Sequence, residues 1–340
     1  MHIAFARRLW LEVSGGGGTV SFVTTRDEHI PVLLEPVLRL LDPKPGDVVL
    51  DCTAGLGGHA LALAERVGPD GLTVLLDRDG ENLAVAERRL REAGWPVEAR
   101  HESFVRAAIT MRSIGRPANV VLADLGFASN QMDDPERGFS FRHEGPLDMR
   151  MDRTSPVTAA DLLATLNQQE FADLINRYGE EPLAGRIARK LVQQRQIRPI
   201  RTTAELSTLI REAYGPRAKH SRTDPATRTF MALRIAVNDE LTALKALLDD
   251  IVAAAEHPAN GWLARGARIG IISFHSLEDR LVKQCFADIE RRELAKRLTR
   301  RPITAEIDET AVNPRARSAK LRVVRVNDSL ESEPPTPVDR

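Results

Sequence analysis

Short apolar runs alternate with amphipathic stretches through the first third of the chain. Val48-Val49-Leu50, Leu72-Thr73-Val74-Leu75-Leu76 and Val120-Val121-Leu122 are too short for buried helices and rich in residues that suit a doubly covered strand. The pattern predicts strands over 47–52, 72–77, 97–101, 119–124 and 268–274, with helices over 58–67, 79–94 and 104–113. Strand and helix in alternation imply a parallel sheet covered by helices. After Asp124 the alternation stops. Residues 126–156 read as loop, and apolar positions at helix spacing follow over 159–178, 183–195 and 203–214. A long helix over 230–255 carries Leu233, Val237, Leu241, Leu244, Leu248 and Ile251 on one face, and the fifth strand comes only after it. The economical reading is a doubly wound α/β domain over 28–127 and 226–327, interrupted by a helical module over 128–225. Residues 1–27 read as a flexible extension or a misassigned start, and 328–340, rich in Pro, Glu and Ser, as a disordered tail. An insertion after the fourth strand lies beside the carboxyl ends of the strands, where open sheets bind ligands, so it suits a substrate-gripping module.

Composition narrows the class. With 340 residues, 42% apolar and 28% charged, the chain can bury a large core. The net charge of zero hides two basic clusters: ten Lys/Arg against two acids over 186–222, and eleven against four over 291–325. A polyanionic partner therefore stays open. Two cysteines, Cys52 and Cys285, are too few for a disulfide framework or a zinc site and read as small buried hydrophobes, which points to the cytoplasm. No apolar run has membrane-spanning length, and no His/Glu/Asp spacing suggests a metal.

The chemistry concentrates at the predicted strand tips. Asp51 ends the first strand and opens Asp-x-x-x-Gly-x-Gly, with Gly55 and Gly57 in a tight turn before the first helix. Asp77 ends the second strand, where an acid can accept from ribose hydroxyls. Gly55-x-Gly57-x-x-Ala60 also satisfies a loose dinucleotide fingerprint, so a nicotinamide-dependent oxidoreductase remains an alternative. Asp51 before the turn favours S-adenosyl-L-methionine, which has no pyrophosphate to seat on the helix N-terminus. Asp124 ends the fourth strand. An exocyclic amine is a poor nucleophile because its lone pair is delocalised into the ring, and an acceptor such as Asp124 can draw on its N–H during in-line attack. A cofactor contact or a loop cap explains Asp124 equally well. His275 follows the fifth strand, where it could reach the same substrate, while Ser276 and Asp279 read as a helix cap.

Many blocks in one order carry a resemblance over 29–326: Gly57-Gly58-His59, Asp77-Arg78-Asp79, Asp124-Leu125-Gly126, Glu136-Arg137-Gly138-Phe139, Tyr178-Gly179-Glu180-Glu181, Asn238-Asp239-Glu240, Ser273-Phe274-His275-Ser276 and Asn313-Pro314-Arg315-Ala316-Arg317-Ser318. The chain resembles the ribosomal RNA small subunit methyltransferase H family, also called MraW. That resemblance implies a class I S-adenosylmethionine-dependent methyltransferase fold, acting on the N4 of a cytidine in the P-site region of 16S rRNA in the small ribosomal subunit. It further implies cofactor contacts at Gly57, Gly58, His59, Asp77, Phe104, Asp124 and Gln131. Phe104 suits an adenine face. The family's usual Asp-Leu-Gly-Val-Ser-Ser becomes Asp124-Leu125-Gly126-Phe127-Ala128-Ser129 here, which removes one hydroxyl and offers Phe127 as a stacking surface for the target base. Arg150, Arg153, Arg189, Lys190, Lys219 and Arg222 are candidate phosphate contacts. A non-catalytic rRNA-binding assembly factor is the remaining alternative, and the oligomeric state, monomer or homodimer, stays open.

Overall fold

The computed structural model describes residues 31–221, 223–257 and 261–328; the expected extension over 1–27, almost all of the tail and Arg222 lie outside that range. In chain order the elements are α1 (Leu34–Leu41), β1 (Val48–Asp51), α2 (Gly58–Val67), β2 (Leu72–Asp77), α3 (Gly80–Glu92), β3 (Val97–His101), α4 (Ala107–Ile114) and β4 (Ala118–Asp124). A helical stretch follows: α5 (Ser129–Asp133), α6 (Ala159–Thr165), α7 (Gln168–Gly179), α8 (Ala184–Ile197), α9 (Thr203–Tyr214), α10 (Ala226–Asn238) and α11 (Glu240–Glu256). The chain then adds β5 (Leu263–Ser273), α12 (Ser276–Arg291), β6 (Ala295–Arg297), α13 (Ile307–Val312) and β7 (Lys320–Val326).

Among the described residues seven strands form one sheet, in the order β3-β2-β1-β4-β5-β7-β6. The first five are parallel to their neighbours, whereas β7 runs antiparallel to both β5 and β6. Strand order reverses between β1 and β4, so their carboxyl ends flank the crevice in which open sheets bind ligands. Successive residues of a strand face opposite sides. Accordingly Val48 and Leu50 pack with α4, α11 and α12 on one face, and Val49 with α1 and α2 on the other.

The structure departs from the sequence expectations in several places. The strand β7 was not anticipated, because Arg322 and Arg325 interrupt its apolar run; Arg322 is buried all the same, since Asp279 accepts from its Nε at 2.7 Å. The helix expected over 230–255 is two, broken at Asp239, whose backbone is left-handed (φ 50°). The apolar stripe continues across the break, so periodicity alone does not reveal it. The helix expected over 159–178 is likewise two, and Asn167 with Glu170 forms the capping box that starts the second.

A second apolar cluster gathers residues from α6 to α9 with Phe139, Leu147 and Met149 of the preceding loop. Ala226, Phe230 and Leu233 of α10 belong to it, so this helix packs with the helical stretch although the boundary was expected at 226.

Candidate active site

The tips of β1, β2 and β4 converge on one pocket, lined by Thr53, Gly55, Gly58, His59, Asp77, Phe104, Asp124 and Gln131 among others. Beneath its floor Asp51 is 1% exposed, and its Oδ1 accepts the Thr53 N–H at 3.0 Å. Burial pushes this carboxyl up to about 7, the Thr53 N–H works against that rise, and the neighbouring Asp77 carboxylate adds to it. Asp77 accepts from the Gly55 N–H at 2.7 Å and from the Asp79 N–H at 2.8 Å. One backbone donor on each oxygen fixes the carboxylate and leaves each oxygen able to accept again. Burial also raises Asp77, to about 6.

The glycine turn has two distinct jobs. At Gly57 φ is +82°, and a Cβ there would stand 3.0 Å from the Ala86 backbone, so this glycine lets α2 close onto α3 and does not line the pocket. Gly58 does line it, and a Cβ there would press to 2.7 Å from Pro31. His59 is buried with its Nε2 2.9 Å from the Val32 carbonyl, which assigns the ring proton to that nitrogen. Its Nδ1 lies 3.6 Å from Asp124 Oδ2. Phe104 opens a single turn after β3, packs partly into the core and presents to the pocket.

At the other end, the Asp124 N–H donates to Thr53 Oγ1 at 2.6 Å, and Asp124 Oδ1 is buried with no hydrogen-bond partner among the described residues. Burial, then the charges of Asp51 and Glu278, hold the Asp124 carboxyl well above the usual carboxylate range. Glu278 lines the pocket as well. Burial would raise it, but His275 and Arg234 outweigh burial and keep it below its ordinary value. His275 does not line the pocket. It caps α12, accepting the Glu278 N–H on Nδ1 at 3.4 Å, with Nε2 3.2 Å from Glu278 Oε1. The cap expected at Ser276 thus falls one residue earlier; the Ser276 hydroxyl donates to Glu180 Oε2 at 2.8 Å and Asp279 is taken by Arg322.

Sequence spacing did not reveal how Glu240, His275 and Glu278 meet: each offers a donor atom within 4.8 Å of the others. Both Glu240 oxygens accept from Arg234, at 2.8 Å each. The Arg234 guanidinium also sits 4.9 Å from the centroid of Phe127, whose ring stacks on Phe139 at 5.2 Å. Phe127 is therefore engaged by two side chains and does not stand as an open platform for a base. It ties the pocket to the helical cluster.

A second network unnoticed in the sequence locks the loop after β4. Gln131 Nε2 and Arg137 Nη1 donate to Asp79 Oδ2 at 2.7 and 2.8 Å, and Arg137 Nη2 reaches the Met151 carbonyl at 2.8 Å. All three side chains are buried. Asn238 adds a clamp, accepting the Met151 N–H at 2.8 Å and donating to the Met149 carbonyl at 2.7 Å. The block Asp77-Arg78-Asp79 was visible as a motif, yet its third residue serves architecture: it caps α3 and anchors the loop.

Residues 26–327 match the MraW methylase family. The chain belongs to that family. A protein from Geobacter sp. strain M21 named ribosomal RNA small subunit methyltransferase H is 45% identical over 313 residues, covering 87% of this chain and 97% of its own. The protein of that name from Symbiobacterium thermophilum is 43% identical over 312 residues, covering 87% and 96%. Among solved structures, a methyltransferase homologue from Pyrococcus horikoshii aligns at 13% identity and a TM-score of 0.40, covering 86% of this chain and 65% of its own. This MraW methylase is an S-adenosylmethionine-dependent methyltransferase of class I fold, and the nicotinamide alternative drops out. The pocket's charge fits that cofactor. Asp77 and Glu278 line it as carboxylates without a bidentate arginine partner, acceptors suited to a cationic, hydroxyl-bearing ligand.

The candidate phosphate contacts divide. Arg150 is committed to Asp148 at 2.7 Å and Lys190 to Glu212 at 2.7 Å, whereas Arg153, Arg189 and Lys219 are exposed and form no ion pair among the described residues. No helix among the described residues is long and apolar enough to cross a membrane.

Proposed function

We propose that this methylase transfers a methyl group to the N4 of a cytidine in the P-site region of 16S rRNA, within the small ribosomal subunit. The observation that carries the reading is Asp124: a strand-tip carboxyl in the pocket with one buried oxygen that has no partner among the described residues. Bound S-adenosylmethionine supplies an electrophilic methyl group on a sulfonium. The residues of this chain do the rest.

Asp77 would hold the ribose hydroxyls on its remaining lone pairs, Phe104 would cover the adenine, and Gly58 and His59 would seat the amino-acid end, with Gly57 shaping the turn from behind. Gln131 lines the same pocket but already spends its amide on Asp79 and on the Ala128 N–H, at 2.7 and 2.8 Å. We assign it to holding the wall against which the cofactor lies. Burial and the charges of Asp51 and Glu278 favour the protonated form of Asp124, and a positive charge beside it favours the ionised one. The ionised carboxylate then accepts an N–H of the target amine, localises the nitrogen lone pair toward the methyl group, and keeps the proton that nitrogen releases. The raised proton affinity of this site makes it a competent acceptor. His275 acts one step back: by partnering Glu278 it keeps a negative charge beside Asp124. The base reaches the pocket unpaired or flipped out of its stack.

The test is direct. Purified protein, labelled S-adenosylmethionine and small subunits lacking the modification should yield one labelled cytidine on mass mapping. Label on any other nucleotide, or RNA binding without label, would refute the proposal, the latter in favour of a non-catalytic assembly factor.

A further inference from the structure

The block Asn313 to Ser318 lies far from the strand tips in sequence, yet it delivers a guanidinium to the pocket: Arg315 is one of two arginines that line it. Its placement is built. Pro314 opens a short 3-10 turn, Asn313 Oδ1 accepts the Arg315 N–H at 3.2 Å, and Ala316 within the turn and Ala319 just after it are fully buried. Just upstream, Glu309 Oε1 accepts the Leu33 N–H at 2.7 Å, which ties the segment to the wall formed by Pro31 and Val32. The backbone that presents Arg315 is therefore fixed before any ligand arrives.

The side chain spends only part of its hydrogen-bonding capacity. Nη2 donates to both oxygens of Asp133, at 2.9 and 3.0 Å, and reaches the Ser129 carbonyl at 3.5 Å; Nε and Nη1 make no hydrogen bond among the described residues. Asp133 is 71% exposed, so this pair is a weak surface contact that exchanges readily. The uncommitted Nε and Nη1 can each donate to an oxyanion, and a planar fork forms with Nη2 once it leaves Asp133. Its position points to the acceptor. Arg315 precedes β7 and reaches over to α5, on the β4–β5–β7 half of the sheet, while the ribose-holding Asp77 ends β2 on the opposite side of β1. A base entering past Asp124, Glu240 and Glu278 carries its phosphodiester toward a wall of carboxyl groups, and a cation at the rim offsets that repulsion.

We propose that Arg315 is a phosphate-binding residue that receives a backbone phosphate beside the target nucleotide. The inference rests on the RNA reading given above and deepens it. The test compares wild type with Arg315→Gln, Arg315→Lys and Asp133→Asn, using full-length protein and unmodified small subunits over a range of salt. Arg315→Gln should raise KM for the subunits about 5- to 20-fold and flatten the slope of log(kcat/KM) against log salt by about 0.7–1, the share of one phosphate contact. Affinity for S-adenosylhomocysteine, measured calorimetrically, should stay within about twofold, and Arg315→Lys should recover part of the loss. Asp133→Asn frees the guanidinium and should leave KM equal or lower; a purely structural tie to α5 would instead make it as damaging as Arg315→Gln. An unchanged KM and salt slope in Arg315→Gln overturns the inference, as does a selective loss of S-adenosylhomocysteine affinity, which would place the cofactor's carboxylate there. Transfer by the wild type with an unaffected variant sinks this inference alone, whereas no transfer by the wild type sinks the RNA reading and this one with it.

Discussion

The two ends of the pocket are built in opposite ways. At the proposed cofactor end the important groups come from residues 51–59 and 77–79, joined by contacts such as Gly55 to Asp77, 22 positions apart, and Asp77 to Asp79. At the proposed acceptor end Asp124, Phe127, Arg234, Glu240, Glu278 and Arg315 arrive from segments nearly two hundred positions apart, and Phe127, under the Arg234 guanidinium, belongs as much to the helical cluster as to the site. Backbone geometry sets the first end and side-chain charge the second. A tight turn works only if the local chain folds correctly, so its parts lie close in sequence. A charge network needs only that its members meet, which distant segments can arrange.

Changes at the joint, then at each end, would break or sharpen this contrast. The largest effect is expected where the two ends are fastened together. Arg137→Met leaves Asp79 as an uncompensated buried charge and should cost about 3–5 kcal/mol of stability, read from the urea midpoint. A loss below about 1 kcal/mol would mean that the loop after β4 does not depend on this pair. Next, Asp124→Ala should lower single-turnover methyl transfer by about 10²–10³-fold while S-adenosylhomocysteine affinity changes little.

The mirror image is expected at Asp77. Asp77→Asn removes charged acceptors and should weaken cofactor affinity by about 1.5–3 kcal/mol, with transfer at saturating cofactor nearly intact. If Asp77→Asn and Asp124→Ala gave the same kinetic signature, the division into two ends would be wrong. This end also carries a pH signature. Asp77 titrates near 6 in the folded protein, raised from 3.8, so its ionised form fills in as pH rises through that value. Calorimetric affinity for S-adenosylhomocysteine should therefore increase from pH 5 to pH 8 in wild type, and rise less in Asp77→Asn. Stability moves the other way. Asp51, raised to about 7, is protonated when folded and ionised when unfolded between pH 4 and 7, so stability falls across that window. Asp51→Asn should flatten the fall in urea midpoints. The smallest effect is expected at His275→Gln, less than about tenfold in transfer, because the ring supports α12 and Glu278 from behind and a helix cap is worth roughly 1 kcal/mol.

The sequence reading was sharp where function and local geometry coincide. Asp51, Asp77 and Asp124 each end a strand as expected, and α2 spans the predicted 58–67. It was blunt where side chains change jobs on folding. Phe127 read as a free stacking surface, but Phe139 and Arg234 hold it. Ser276 and Asp279 read as a cap, but each has a distant partner and His275 does the capping. Arg322 read as part of a basic tract and proved to be a buried member of β7.

What the sequence determined by itself was the alternation of strands and helices, the acids at the strand tips and the glycine turn between them. These are set by interactions within a few residues: apolar periodicity, backbone freedom at glycine, and the obligatory pairing of main-chain groups. What only the tertiary structure decided was the electrostatic character of the other end of the pocket: which of its carboxyls are buried together, which arginine neutralises Glu240, and which one joins the pocket lining from a distant segment. Desolvation and charge pairing depend on what surrounds a group in space, and the order of residues along the chain does not contain that until the chain has folded.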